Sequence, residues 1–324
     1  MAITANNIVG STGVRGIPSE MTNTLEVFSG MVMTGFDRKN IGVGLITVKT
    51  ISSGSSDQFP VIARSLDNGD TPQTYVIGDD VNTQAIPVKD RVITLGQPIE
   101  YSLSISRLEE KILHFSTRAT LAKEMGSALA TKVDRAIFSE VLVASQTSGT
   151  IGGSVMQPDG SEVNNDAISS GATPEDKGDA LFAALFEANT LLKEKDIMGE
   201  PIFVTTPANY NFLVQSGKGV HRDYTSGNGG VDSGTIMEIA GLKITWSNNL
   251  PVTTAVSVNA VNKKLQGLLF TPDCVGLVKL MDVTTEIDKL PTKIGQDLIK
   301  SYYWNGMGVL NPGCAIAICG GAFA

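Results

Sequence analysis

The chain contains two histidines, His114 and His221, the side chains whose ordinary pKa lies closest to neutrality and which most often serve as general bases. His114 sits in a stretch of helical periodicity and His221 among glycines, and neither accompanies a nucleophile motif. There is no GxSxG elbow, no GxxxxGK[ST] loop and no HExxH pair. Gly217, Gly219, Gly227, Gly229 and Gly230 lack the GxGxxG order and the preceding strand that phosphate cradling requires, so they read as a loop. Asp67, Asn68, Gly69 and Asp70 could in principle hold calcium, but the remaining ligands of an EF-hand loop are absent and a hydrated turn is expected. Asp79 and Asp80 read as a solvated acidic pair. Cys274, Cys314 and Cys319 form no CxxC pair, and their odd number argues against a disulfide framework. They are expected as small buried hydrophobes of a chain made in a reducing cytoplasm. No catalytic, cofactor-binding or metal-ligating residue is therefore assigned, and this empty search disfavours a soluble enzyme.

The composition points the same way. At 324 residues the chain can support two or three lobes with real cores. Its formal net charge of −8 speaks against a protein that grips nucleic acid directly. The longest apolar runs, such as 267–270 and 275–278, are far too short to span a bilayer, and no membrane partner is expected. The first ten residues show no basic region followed by an apolar one, so no signal peptide is expected.

Five stretches follow one another. Residues 1–50 suggest an extended polar arm and then a short packed segment, in which Leu25, Val27, Phe28, Met31 and Met33 could form a helix weakened by Gly30 and Gly35. Residues 51–98 suggest a long hairpin. Phe59, Val61 and Ile62 mark an outgoing strand, and Val92, Ile93, Thr94 and Leu95 the returning one. The turn-rich excursion between them is poor in apolar residues and cannot bury itself, so it must lean on something else.

The third stretch is the clearest helix. Ser106 and Glu109 have capping-box spacing. Leu108, Ile112, Phe115, Ala119, Ala122, Leu129, Val133, Ala136, Ile137 and Val141 then make one apolar stripe, and no proline interrupts before about Ala144. Gly126, costing about 1 kcal/mol relative to alanine there, hints at close packing or a bend. Arg107, Lys111, Arg118 and Lys123 lie among Glu109, Glu110 and Glu124, and mixed signs favour salt bridges over a phosphate-binding stripe. Residues 147–172 read as a long loop. A second helix opens at Thr173 and Pro174, with Leu181, Leu185, Ala188 and Leu192 as its core face. Strands are expected at 202–204, 242–246, 267–271, 275–280 and 315–319, with a short helix opened by Thr206 and Pro207 and a glycine-rich loop at 217–234.

This order of parts resembles the tailed-phage major capsid fold, the Hong Kong 97 fold, and more closely the major capsid proteins of short-tailed, autographivirus-type phages. Four groups of residues carry the resemblance. Ile51 to Gly54 running to Gln58, Phe59, Pro60 and Val61 is similar to the start of that family's extended hairpin (the E-loop). Gly126, Ala128, Leu129, Ala130 and Asp134 resemble the middle of its spine helix. Thr205, Thr206, Pro207, Asn209 and Tyr210 resemble a strand-to-helix turn of its axial lobe. Val275, Gly276, Val278, Lys279 and Leu280, with Gly306 and Gly308, resemble its C-terminal part. No single motif decides; order and spacing do. The loops 147–172 and 217–234 match nothing in the family pattern.

The resemblance implies an α+β subunit with an N-terminal arm and the start of a peripheral domain at 1–50 and an E-loop at 51–98. It implies a peripheral domain at 99–195 with a spine helix over about 106–144, an axial domain at 196–280 and a return to the peripheral domain at 281–324. It implies a non-enzymatic homo-oligomer of pentamers and hexamers, an icosahedral virion shell assembled in the bacterial cytoplasm. A scaffolding protein and a portal would assist, with double-stranded DNA packaged inside without sequence-specific binding. Contacts between copies are expected at Phe59, Arg64, Asp79, Asp80, Lys89, Arg91, Arg107 and Arg118. The competing reading on the same fold is an encapsulin-like cellular compartment.

Overall fold

The structure, a computed structural model, describes residues 19–63, 77–78, 86–106, 117–151, 153–216, 229–230, 235–236, 238–252, 255–258, 261–289 and 295–322. Helices and long strands coexist, and the chain divides into two compact units. One comprises Met1–Asn40, Gly96–Val133 and Leu280–Asn305; the other comprises Ile41–Leu95, Asp134–Lys279 and Gly306–Ala324.

In the first unit the helix Ser19–Lys39 buries Phe28, Val32 and Phe36, one residue per turn at i, i+4 spacing. The expected short helix is thus present and longer than the apolar cluster that announced it. It crosses the first half of the long helix Thr117–Ser145, whose Ala122, Met125 and Leu129 are buried. Glycines make the crossing possible. A Cβ at Gly35 would stand 2.7 Å from the Lys123 carbonyl oxygen, and one at Gly126 would stand 2.8 Å from the Phe36 amide nitrogen. Gly126 therefore marks close packing. Ser106 ends the strand Ile99–Ser106, while Glu109, His114 and the rest of 107–116 lie outside the described residues.

The strand Ile99–Ser106 pairs antiparallel with Gln296–Val309, in register from Ser106 opposite Gln296 to Ile99 opposite Tyr303. Periodicity of apolar residues misses Gln296–Val309, because its buried face alternates Asp297, Ile299, Ser301, Tyr303 and Asn305. Two of the polar groups on that face have partners, whereas the Asn305 side-chain nitrogen is buried without one among the described residues. The Ser301 and Thr285 hydroxyls lie 3.0 Å apart, and Asp297 faces Arg118 at 3.8 Å. The Tyr303 ring packs on Phe36 with centroids 5.4 Å apart.

The second unit is built on a sheet in the order Glu238–Ile239, Leu242–Trp246, Ile202–Thr205, Val261–Phe270, Ala315–Ala322, Ser161–Asn164, with Ala255–Val258 also paired to Val261–Phe270. Ile202–Thr205 is buried along its whole length, as the continuous apolar run requires. Pro174–Glu194 covers the sheet with Leu181, Leu185, Ala188 and Leu192, joined by Tyr210 and Leu213 of Pro207–Gln215. The first of these helices opens with a full capping box. The Thr173 hydroxyl accepts from the Asp176 amide, and the Asp176 carboxylate accepts from the Thr173 amide, each at 3.1 Å.

The expectation of a loop at 147–172 needs correction. The segment contains a small hairpin, Thr150–Ile151 with Ser154–Val155, an edge strand of the main sheet, Ser161–Asn164, and one helical turn, Ala167–Ser170. Val163 alone in that edge strand is fully buried, too little apolar signal to reveal it. The strand expected at 275–280 runs on to Lys289. All three cysteines are buried and free, as expected.

Candidate assembly interface

The hairpin is the part of the sequence reading with the clearest geometry. Its strands, Ser56–Ile62 and Val88–Thr94, pair from Ser56 opposite Thr94 to Ile62 opposite Val88. Two further backbone bonds extend the ladder, Leu95 to Ser55 at one end and Ala63 to Pro87 at the other. Alternation then divides the side chains between two faces.

The inner face carries Asp57, Phe59 and Val61, opposite Ile93, Arg91 and Lys89. Val61 and Ala63 are buried with Met156, with Ile151 packed beside them. Ile93 is buried too, its Cδ1 lying where a side chain on Gly276 would have to go. The stem is thus fixed on its own subunit by apolar contacts. Lys49 adds a polar tie. Its ammonium lies 2.7 Å from the Asp57 carboxylate and 5.3 Å from the centre of the Phe59 ring. The hydrogen bond from Lys49, with one from the Gln58 amide, holds the Asp57 carboxyl below the usual carboxylate range. Arg91, opposite Phe59, is half-buried; burial lowers its pKa, and its Nε has no hydrogen-bond partner among the described residues.

The outer face is the opposite in character. Ile62, Val88 and Val92 are 61%, 58% and 54% exposed, with Pro60 also exposed on the same side. Such an uncovered apolar strip on a two-stranded ribbon is what a docking surface looks like. Reading the sequence for charge overlooked it, although the outward positions 60, 62, 88 and 92 fall in one alternation once the register is known.

Of the eight residues expected at contacts between copies, the structure brings together Phe59, Lys89 and Arg91 on the inner face of the stem. Arg118 belongs to the sheet-and-helix packing of the first unit, two-thirds buried beside Asp297. Arg64, Asp79, Asp80 and Arg107 lie outside the described residues.

Sequence reading also missed a polar knot at Asp134. This fully buried carboxylate accepts the Ile41 amide at 3.3 Å, the Gly42 amide at 2.9 Å and the Asn249 side-chain amide at 3.2 Å. It ties the long helix to two distant segments of the second unit. Among the described residues no group of three or more His, Cys, Asp or Glu side chains could hold a metal ion. Burial raises the Cys274 thiol well above its usual range and pushes Cys319 up to about 12, which makes both poor nucleophiles. His221 and residues 217–228 of the glycine-rich loop lie outside the described residues.

Comparison with known proteins supplies the family. The model of the family described as "Gp10A-like: Major capsid protein" matches residues 58–319. The major capsid protein of Enterobacteria phage T3 is 25% identical over 331 residues, which cover 91% of this chain and 90% of that one. The capsid structure of Cyanophage P-SCSP1u superposes with a TM-score of 0.71 and 27% identity, covering 87% of this chain and 88% of its own. A virus-like particle from Pyrococcus furiosus, at 14% identity and a TM-score of 0.58, covers 91% of this chain and 99% of its own and shares the fold alone. The cellular-compartment alternative is therefore not favoured.

Proposed function

Because this chain belongs to the Gp10A-like major capsid protein family, we propose that it tiles an icosahedral phage shell as pentamers and hexamers, joined where its hairpin lies on a neighbouring copy. The fold is that of tailed-phage capsids, and the role is structural: a subunit of the virion shell. The observation that carries the joint is the two-faced stem. Its inner face is anchored through Val61 and Ile93 on Met156, Ile151 and Gly276 of its own subunit, and its outer face leaves Ile62, Val88 and Val92 uncovered. A segment anchored on one side and apolar on the other is suited to carry a partner. The family supports the finer parts of the reading: a scaffolding protein and portal during assembly in the host cytoplasm, double-stranded DNA inside, and no catalytic activity. In this reading 1–50 contributes the arm, 51–98 the E-loop, 99–195 and 281–324 the peripheral domain and 196–280 the axial domain. Phe59, Arg64, Asp79, Asp80, Lys89, Arg91, Arg107 and Arg118 remain the candidates for contacts between copies.

Electron microscopy of the protein co-produced with its scaffold tests the whole. Closed particles are expected, and only stable monomers or dimers would refute it. Replacing residues 66–80 by a short Gly/Ser turn tests the joint. The free subunit should keep its helical signal, and the yield of closed particles should collapse.

A further inference from the structure

The first unit carries a basic groove that nothing above uses. It runs where the helix Ser19–Lys39 crosses the long helix, with Arg38 and Lys39 on one wall, Lys123 and Glu124 on the other, and the hydroxyls of Thr34 and Thr120 between them. All six side chains are exposed. None of the four charged groups makes an ion pair with any described residue, so three cations and one carboxylate leave the groove at +2. This stands out in a chain of net charge −8. Helix ends account for part of it: Arg38 and Lys39 close a helix, where cations complement the negative pole. Lys123 has no such reason, lying in the interior of the long helix. The floor beneath it is stiff, because Gly35 and Gly126 bring the two backbones into direct contact.

The same chain supplies a matching anion. Between the hairpin strands, residues 64–87 hold Asp67, Asp70, Asp79 and Asp80 against one cation, Arg64, for a net −3. Each half of the 25 residues from 63 to 87 can extend at most about 40 Å, enough to reach well into a neighbouring subunit. We propose that the groove at Arg38, Lys39 and Lys123 receives the aspartate-rich segment of the hairpin from a second copy of this chain. This rests on the reading that the hairpin lies on a neighbour, and it adds the place where it lands and the chemistry that holds it. Every subunit of a closed shell then offers one acidic segment and one basic groove, a heterologous pairing that can propagate around a ring. The contact is between exposed charges, so added salt weakens it.

A charge exchange tests it in the full-length protein assembled with its scaffold. The groove variant Arg38→Glu, Lys39→Glu, Lys123→Glu should lower the yield of closed particles at least tenfold, as should the hairpin variant Asp79→Lys, Asp80→Lys. Combining the two should restore at least half the parental yield. A combined variant no better than the worse of its parents overturns the pairing. Should the reversed groove disturb folding, seen as loss of helical signal, the neutral set Arg38→Gln, Lys39→Gln, Lys123→Gln replaces it. That set should remove most of the salt dependence of assembly, and unchanged salt dependence overturns the proposal. A second readout is direct. Lys123→Cys with Asp80→Cys, oxidised in the particle, should give disulfide-linked dimers and longer ladders under non-reducing denaturing electrophoresis. A link confined within single chains, or none, overturns it. So does a neutral groove variant that assembles normally but loses binding to short duplex DNA, since the groove would then serve nucleic acid. Failure of the hairpin reading itself looks different. In that case the Gly/Ser replacement of 66–80 would assemble at parental yield, whereas a failure of the groove alone leaves that replacement assembly-defective.

Discussion

The buried Asp134 carboxylate accepts the Gly42 amide at 2.9 Å, across 92 residues of sequence. Together with the part-buried bond from Ile41 and the buried one from Asn249, it satisfies donors at least two of which are shut off from water. Asp134→Ala should therefore cost about 1–3 kcal/mol or more, since each orphaned buried donor carries its full desolvation penalty. Asp134→Asn keeps one acceptor oxygen and should cost less. Urea denaturation of the free subunit checks both, and equal stabilities for parent and alanine variant would show that Asp134 does not hold these segments together.

The helix crossing gives a contrast between two glycines. Gly30 has open space where a Cβ would stand, with nothing within 4 Å, and lies exposed on the same helix as Gly35. Gly30→Ala should therefore stabilise by about 0.5–1 kcal/mol through helix propensity alone. Gly126→Ala gains the same propensity but drives a methyl into backbone atoms that cannot rotate away. Overpacking of about 1–3 kcal/mol should win there, giving a net loss in thermal unfolding.

Alkaline pH should destabilise the subunit through Tyr303. Burial first, and Asp282 second, push its phenol from 10.0 up to about 12. The folded state thus keeps a proton that the unfolded chain loses, so stability is intact below pH 10 and falls as pH rises towards 12. The loss should be on the order of 2 kcal/mol. Cys319, raised from 9.0 to about 12 by burial, acts in the same direction from a lower starting pH. Tyr303→Phe should flatten the curve between pH 10 and 12, and an unchanged slope would assign the loss elsewhere.

The outer face of the stem should matter to particles and not to the free chain. Ile62→Ser, Val88→Ser and Val92→Ser together remove apolar groups that are more than half exposed, so unfolding of the subunit should shift by little more than about 0.5 kcal/mol. Assembly yield should fall sharply. Normal particles from this triple variant would mean that the strip faces solvent in the shell as well.

The shell should be held without covalent links. Lys89, the only lysine between residues 51 and 98, pairs in the stem opposite Val61, away from the tip. Boiled in denaturant, the particle should run as monomer on electrophoresis; a persistent ladder would contradict this.

What could be read from the sequence depended on how apolar each buried face is. Pro174–Glu194 announced itself, because Thr173 and Asp176 cap it and Leu181, Leu185, Ala188 and Leu192 repeat on one side. The hairpin strands were legible from Phe59, Val61 and Ile93, and their order with the long helix carried the family resemblance. Gln296–Val309 was invisible because Asp297, Ser301 and Asn305 occupy its inward positions, and hydroxyl and ion-pair partners reveal themselves only in three dimensions. Ser161–Asn164 was too short, with one buried side chain. Phe59, Lys89 and Arg91 share one face of the stem, a relation that appears only once the strand register is known. The strip of Ile62, Val88 and Val92 needed the register, since an exposed apolar residue looks like a buried one in a sequence.

The position of Ala315–Ala322 in the central sheet sets a clock on the birth of each subunit. This late strand lies between Val261–Phe270 and Ser161–Asn164, and among the described strands it alone joins Ser161–Asn164 to the sheet. Residue 161 must therefore wait for a partner about 150 residues downstream, a long-range closure that is slow by nature. A chain ending before residue 315 would leave one edge of Val261–Phe270 and the strand Ser161–Asn164 without the partner that joins them. Such a copy is expected to fall short of the finished sheet and to be left out of assembly, a dependence on the last-made strand that follows from the topology.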